Sequence, residues 1–89
     1  MDFEWDPEKA LANESKHEVS FFEACEVFDD GYSSAVHDPD HSQDEDRHLI
    51  FGMSKGGNYL VVSYTERGDR IRLISARQMT PRERRAYEQ

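Results

Sequence analysis

The sequence predicts an α+β domain in which two N-terminal helices pack on an antiparallel β-sheet meander and a short helix ends the chain. Three observations support this fold class. Two capped helical segments come first, three strand-like runs joined by tight turns follow them, and a capping box stands near the C-terminus. The 89 residues suit one domain, spanning 1–89, with a single modest core.

The chain opens with a short strand and a first helix. Phe3–Trp5 alternates apolar and polar side chains, which is typical of a strand. Asp6 suits a helix N-cap, and Pro7 suits the first helical position because its missing N–H needs no partner there. We expect this helix to run to His17 as a surface helix with a thin apolar edge.

A second helix is indicated by Ser20 and Glu23, which have the spacing of a capping box. Apolar side chains then recur at the spacing of one helix face. They are Phe21, Ala24, Cys25 and Phe28. The polar run Asp29-Asp30-Gly31 is expected to end this helix.

Four strands and a last helix account for the remaining residues. Tyr32–Val36 is a predicted strand, and the acidic segment 37–46 is expected to be a solvated loop. Thr80-Pro81-Arg82-Glu83 is a capping box that opens a short helix to Tyr87. Between the loop and this helix, three runs joined by tight turns, the second turn at Gly68-Asp69, predict an antiparallel meander. The runs are Arg47–Ser54, Tyr59–Arg67 and Arg70–Arg77.

The net charge of −8 conceals two halves of opposite sign. Residues 1–46 carry fifteen acidic side chains against two lysines, whereas residues 47–89 carry nine basic side chains against four acidic ones. The basic half can meet phosphate at short range, although the total charge argues against a general nucleic-acid coat protein. No apolar stretch approaches the roughly 20 residues of a membrane span, and the acidic N-terminus lacks the layout of a signal peptide. A cytoplasmic location is therefore expected.

Arginines in the last predicted strand suit phosphoryl chemistry. Strict alternation places Arg77 on the same face as Ile71 and Leu73, and Glu66 and Arg67 end the neighbouring strand. We therefore expect Arg77 to lie near the Glu66 carboxylate. A guanidinium group can bind two phosphate oxygens at once, and its charge stabilises a phosphorane. An internal arginine–glutamate ion pair explains the same residues without any function.

A histidine near the end of the first helix is a candidate for proton transfer. His17 follows Asn13 by four residues, so both lie on one helix face. Histidine is suited to acid–base chemistry near neutral pH. The alternative is structural, because Lys16 and His17 stand in the last turn, where cations offset the helix dipole.

Two other patterns favour ordinary structural roles. His37-Asp38-Pro39-Asp40-His41 holds metal-ligating side-chain types, but the proline prevents a helical arrangement of the two histidines, and a solvated loop is the better interpretation. Cys25 lies on the apolar face of the second helix and is interpreted as a small core residue. A single cysteine excludes an internal disulfide and a multi-cysteine zinc site. No metal or other cofactor is expected.

Taken together, the residues resemble the BrnT family of bacterial type II toxins. The likeness covers nearly the whole chain, in order and with the same spacing. The matching segments are 3–7, 9–10, 13, 16–17, 19–21, 23–24, 27–30, 45–47, 52, 54, 64–67, 72–77 and 83–88. One departure is Glu18, since the family often has glycine after Lys-His, where a left-handed helix end costs no strain.

This resemblance implies a fold like that of the RelE/ParE toxins and an RNA-cleaving toxin that arrests growth. It also implies a BrnA-type antitoxin with a ribbon-helix-helix DNA-binding part, which neutralises the toxin in a heterotetramer of two toxins and two antitoxins. That complex would contact operator DNA only through the antitoxin.

For this function, the resemblance and the residue chemistry together suggest a metal-independent mechanism, in which the RNA 2′-hydroxyl attacks the adjacent phosphate. His17 and Glu66 are the predicted proton-transfer residues, and Arg67 and Arg77 are predicted to hold the phosphate. Further RNA contacts are predicted for Lys16, Tyr64, Arg70 and Arg72, and Trp5 is a second aromatic ring on which a base can stack. For Tyr64 and Trp5, a place in the hydrophobic core is the favoured alternative.

A non-catalytic module is the rival interpretation. A ParE-like or degenerate toxin can act through protein–protein binding alone, and a net charge of −8 is unfavourable for a ribonuclease. Cleavage of RNA in EDTA separates the two interpretations.

Overall fold

A five-stranded mixed sheet forms the centre of the fold, with α1 and α2 packed on one of its faces. The computed structural model describes residues 1–43 and 45–89. In chain order the elements are β1 Asp2–Glu4, α1 Pro7–His17, α2 Phe21–Glu26, β2 Ser34–His37, β3 Arg47–Met53, β4 Tyr59–Arg67, β5 Arg70–Gln78 and α3 Pro81–Tyr87. Short 3₁₀ turns occupy Val27–Asp29 and Pro39–His41.

The strand order is β1-β5-β4-β3-β2. The predicted meander of β3, β4 and β5 is confirmed, because each of these strands pairs antiparallel with the next. The expectation of a purely antiparallel sheet is wrong, because β1 pairs parallel with β5, with Phe3 opposite Ile71. A parallel pair needs a long connection rather than a tight turn. The sequence of a three-residue strand does not show at which edge of the sheet the strand lies or in which direction it runs.

The predicted helix starts are confirmed at all three helices. Asp6 accepts the Glu8 N–H at 2.9 Å, and the Ser20 hydroxyl accepts the Glu23 N–H at 3.0 Å. Thr80 and Glu83 form the complete capping box of α3. Glu23 does not complete a capping box, because its carboxylate instead accepts bonds from Ser54 and Asn58 at 2.7 and 2.6 Å. This carboxylate therefore fastens α2 to the turn between β3 and β4.

The main core lies between the two N-terminal helices and the sheet. Its buried members are Val19, Phe21, Ala24, Val27, Ile50, Leu60, Val62, Tyr64, Leu73 and Ala76. Asn13 ties α1 to β5: its side-chain amide donates to the carbonyls of Val19 and Ala76 at 3.0 and 2.9 Å and accepts the Ala76 N–H at 3.0 Å. Within the residues that the structure describes, no helix is long and apolar enough to span a bilayer.

A β-bulge in β5 changes which side chains share a face. Ser63 lies opposite Ser75 and Tyr64 opposite Leu73, so Ile74 is the extra residue. Consequently Leu73 and Ala76 both face the helices, and Arg77, opposite Val61, faces away from them. The expectation that Arg77 shares a face with Leu73 is therefore wrong. We call the side of the sheet away from α1 and α2 the outer face.

Candidate active site and nucleic-acid interface

Four arginines gather on the outer face where β4 and β5 join. Arg67 and Arg70 lie opposite each other beside the two-residue turn, while Arg47 and Arg72 flank Thr65 from the two neighbouring strands. Directly paired residues share a face, and residues two apart on a strand do so as well. We call these four residues the arginine cluster.

Two carboxylates contact the guanidinium groups of the arginine cluster. Glu4 lies 2.9 Å from the Arg72 guanidinium and 3.8 Å from that of Arg70. Glu45 lies 3.3 Å from Arg67 and 3.9 Å from Arg47. Asp2 lies opposite Arg70 in the strand register as a third carboxylate on this face, so four guanidinium groups face three carboxylates and keep N–H donors beyond these contacts. The cluster can therefore accept a phosphate despite the negative total charge.

A groove of about 460 Å³ runs along the rim of the sheet beside the cluster. We call it the rim groove, and its lining residues are Glu45, Asp46, His48, Thr65, Glu66 and Arg67. The Thr65 hydroxyl donates to the Asp46 carbonyl at 2.7 Å, which holds the segment before β3 against β4. By the strand register, His48 and Glu66 lie on the helical face with Tyr64, and Thr65 and Arg67 lie on the outer face, so the groove passes around the end of the sheet between the two faces.

His48 is held in this groove by its neighbours. Its ring stacks on Tyr64, with centroids 5.4 Å apart, and meets the His37 ring edge-on at 5.5 Å. Tyr64 itself is only 7% exposed and also contacts Phe28, so little of its ring is available for stacking a base. Burial, and then the charge of Glu66, raise the pKa of Tyr64 and keep its hydroxyl protonated.

Glu66 and Arg77 do not meet, contrary to the expectation from sequence. Glu66 lies opposite Ile71, whereas Arg77 lies opposite Val61. Five residues of β4 separate Val61 from Glu66, which corresponds to roughly 17 Å of strand. Antiparallel strands bring the end of one beside the start of the next, so the end of β4 lies far from the end of β5.

Arg77 instead pairs with Glu83 of α3. The two groups form a bidentate contact at 2.8 and 3.0 Å, and Arg77 also donates to the Gln78 carbonyl at 3.2 Å. The contact with Glu83 raises the pKa of Arg77, and the Arg77 hydrogen bond lowers the pKa of Glu83 to about 2. Arg77 therefore forms an internal arginine–glutamate ion pair, as the structural alternative held. Its partner is Glu83 and not Glu66.

His17 and Lys16 lie in the last turn of α1. The helix is anchored one turn earlier, where Asn13 bonds to Ala76. Ile71 is the cross-strand partner of Glu66, and Ala76 lies five residues further along β5. The distance from Ile71 to Ala76 along the strand is about 16 Å. Among the described contacts none joins His17 to Glu66, so the structure does not assemble this predicted proton-transfer pair.

The remaining candidates have structural surroundings. Trp5 packs edge-on against Phe21 and Phe22, with ring centroids 5.9 and 5.1 Å apart. Burial raises the pKa of the Cys25 thiol to about 11, which disfavours the nucleophilic thiolate.

The two histidines of the 37–41 motif contact different carboxylates. His37 lies 3.4 Å from Asp46, and His41 lies 2.8 Å from Asp38. Across residues 1–43 and 45–89, no group of three or more histidine, cysteine or acidic side chains is arranged to hold a metal ion.

Sequence reasoning did not assign His48, Arg47 or Glu45 to the site. Each lies in or just before β3, and each becomes notable only through its cross-strand neighbours. His48 lies opposite Tyr64, and Arg47 lies opposite Thr65. Aligning the predicted strands in register across the turn between β3 and β4 would have placed His48 and Arg47 beside the Glu66 end of β4.

Comparison with known proteins identifies the family of the chain. The profile of the family described as "Ribonuclease toxin, BrnT, of type II toxin-antitoxin system" matches residues 5–83. The protein is therefore a toxin of a type II toxin–antitoxin system. Within that class, the chain belongs to the BrnT family of ribonuclease toxins.

A solved structure has the same fold. The 1.1 Å crystal structure of the Brucella abortus ribonuclease toxin, BrnT, aligns with a TM-score of 0.66 at 24% sequence identity. The alignment covers 90% of this chain and 97% of that chain. Comparison with curated proteins gives no match. The more distant RelE/ParE likeness remains a prediction.

Proposed function

We propose that this toxin cleaves RNA without a metal ion, and that the rim groove is its active site. The single observation that supports this is the placement of His48, Glu66 and Arg67 along one groove. Cleavage by attack of the RNA 2′-hydroxyl needs a base, an acid and cations for the phosphorane, and these three side chains supply those chemical types.

The roles follow from the chemistry of each group. Glu66 is exposed at the end of β4 and accepts the proton of the 2′-hydroxyl. His48, held by Tyr64 and His37, donates a proton to the leaving 5′-oxygen. Arg67 binds the phosphate oxygens with its planar fork of donors, displacing Glu45.

The rest of the arginine cluster binds the RNA backbone next to the scissile phosphate. Arg70 and Arg72 extend this binding surface from Arg67 onto β5, and Arg47 extends it onto β3. His17, Lys16 and Arg77 lie away from the groove, and their predicted roles require an RNA long enough to reach them. The toxin acts in the cytoplasm in this proposal, since its RNA substrates are there.

Incubation of purified toxin with RNA in EDTA tests the proposal. We expect new ends that carry 2′,3′-cyclic phosphate, and a rate loss of about 10²–10³-fold for Glu66→Gln, His48→Gln or Arg67→Ala. Lys55→Ala is the matched control, because Lys55 is exposed in the turn at the other end of β4. If RNA stays intact while the cells still arrest, the non-catalytic interpretation replaces this one.

Membership of a type II system implies an antitoxin protein. We propose that it is a BrnA-type ribbon-helix-helix protein and that the complex is a heterotetramer of two toxins and two antitoxins, which contacts operator DNA through the antitoxin. The resemblance of the sequence supports this assignment. The mass of the co-expressed complex, measured by light scattering, tests the stoichiometry.

A further inference from the structure

An apolar patch on the helical layer stands exposed, on the opposite side of the sheet from the arginine cluster. Phe22 is 76% exposed and Leu11 is 70% exposed. Trp5 meets Phe22 at right angles with ring centroids 5.1 Å apart, and together with Pro7 these side chains line a shallow groove between α1 and α2. We call Trp5, Pro7, Leu11 and Phe22 the aromatic patch. Exposed apolar groups that adjoin one another are typical of interaction sites.

The charges around the patch are of one sign. Glu14 lines the groove on the stripe of α1 that carries Pro7 and Leu11, and Glu18 stands directly after the end of this helix. At about 100° per residue, the two lysines of α1, Lys9 and Lys16, fall on the other side of the helix. A partner therefore meets apolar anchors rimmed by carboxylates.

We propose that the aromatic patch is the docking surface for the antitoxin, which binds it with an amphipathic helix whose apolar stripe is flanked by lysines or arginines. A groove between two helices accepts a helix, and the acidic rim selects cationic flanks. A second copy of this chain is disfavoured as occupant, because two facing patches would bring the Glu14 carboxylates of the two copies together. This inference rests on the family assignment and not on the rim groove.

The location has a consequence for inhibition. The patch lies on the far side of α1 and α2 from the outer face, so a helix bound there leaves the arginine cluster uncovered. The antitoxin therefore uses the patch for attachment, and a separate segment must reach the catalytic groove.

The single tryptophan, Trp5, is a built-in reporter because it lies inside the patch. The first probe is a synthetic 18-residue leucine–lysine helix, and the matched probe has glutamate in place of lysine. We expect the cationic peptide to shift Trp5 emission saturably, with weaker affinity at higher salt, and the acidic peptide to leave it unchanged. Equal binding of both peptides would overturn the charge argument.

Matched variants localise the binding. Phe22→Ser or Leu11→Ser should weaken binding of the cationic peptide about tenfold, whereas Met53→Ser, at an apolar side chain 39% exposed on β3, should not. Glu14→Lys should weaken it several-fold, and Asp69→Lys, with the same change of net charge in the turn between β4 and β5, should not. Equal effects of each variant and its control would mean that the peptide responds to the total charge of the protein and not to the aromatic patch.

Co-expression with the product of the neighbouring reading frame identifies the source of the helix. The Leu11→Ser/Phe22→Ser toxin should still arrest growth but should escape neutralisation and co-purify poorly. Undiminished co-purification would overturn the proposal. Sedimentation that shows a toxin dimer abolished by Phe22→Ser would instead make the occupant a second copy.

Discussion

Replacing Arg77 by alanine should destabilise the protein more than it impairs the chemistry of the rim groove. The bidentate contact with Glu83 joins the end of β5 to the first turn of α3. Since Arg77 lies roughly 17 Å along the strands from Glu66, its loss removes a structural clamp rather than a groove residue.

The magnitude follows from the Glu83 carboxyl. A fall of its pKa from the ordinary 4.5 to about 2 corresponds to at most ~3.4 kcal/mol. The Arg77 and Glu83 side chains remain 40% and 25% exposed, and screening by solvent reduces this to about 1–2 kcal/mol. For a domain of this size, Arg77→Ala should lower Tm at pH 7 by about 4–16 °C.

The pH dependence has a definite sign. The pKa of Glu83 is depressed in the folded state, so its contribution is complete above about pH 4.5 and is lost as the pH falls towards 2. Thermal melts by circular dichroism should therefore show the wild type and Arg77→Ala converging over that range. Glu83→Gln should show the same convergence, and Arg85→Ala, an exposed arginine of the same helix, should differ little from wild type at any pH.

RNA cleavage measured on the same samples, well below the melting temperatures, completes the test. We expect a modest change for Arg77→Ala. An unchanged Tm together with a 10²–10³-fold loss of cleavage would refute this reasoning and make Arg77 a phosphate ligand.

Three further predictions concern other parts of the molecule. RNA affinity should fall with salt at a logarithmic slope of about −1.5 to −3, because the arginine cluster meets few phosphates at roughly 0.7 each; a slope near −6 in titrations of fluorescent RNA would place binding on another surface. Gly52→Ala should cost about 1–3 kcal/mol in urea unfolding, because its Cβ would lie 2.7 Å from Val27 Cγ1, whereas Gly31→Ala meets no atom within 4 Å and is the control. Glu18→Gly should raise stability by about 0.5–1 kcal/mol, because Glu18 has φ of 59°; a lower Tm would contradict the strain argument.

The sequence predicted the helices and the meander well because their signals are local. The caps at Asp6, Ser20 and Thr80 stand within three residues of the groups they bind. The β1–β5 pair was mispredicted because it joins residues nearly 70 positions apart. Local patterns contain no information about such pairing.

The candidate site was predicted only in part for the same reason. Glu66, Arg67, Arg70 and Arg72 do lie at one end of the sheet, because a two-residue turn makes them sequence neighbours. Arg77 was assigned to the wrong face, because the bulge at Ile74 interrupts the alternation on which the assignment rested. His48 was overlooked, because its neighbours come from two other strands.

The contacts of Asn13 have a consequence for how the toxin is made in the cell. Its amide bonds to Ala76, 63 positions later, and β1 pairs with residues 70–72. Asn13 and β1 therefore lack their partners in the sheet until β5 has left the ribosome, in a chain synthesised at about 5–20 residues per second. Until then Glu4 is not beside Arg72, and the sheet lacks one edge strand. The newly made toxin thus completes its native sheet only after β5 has left the ribosome, which gives the cell an interval in which the chain is present but not yet folded.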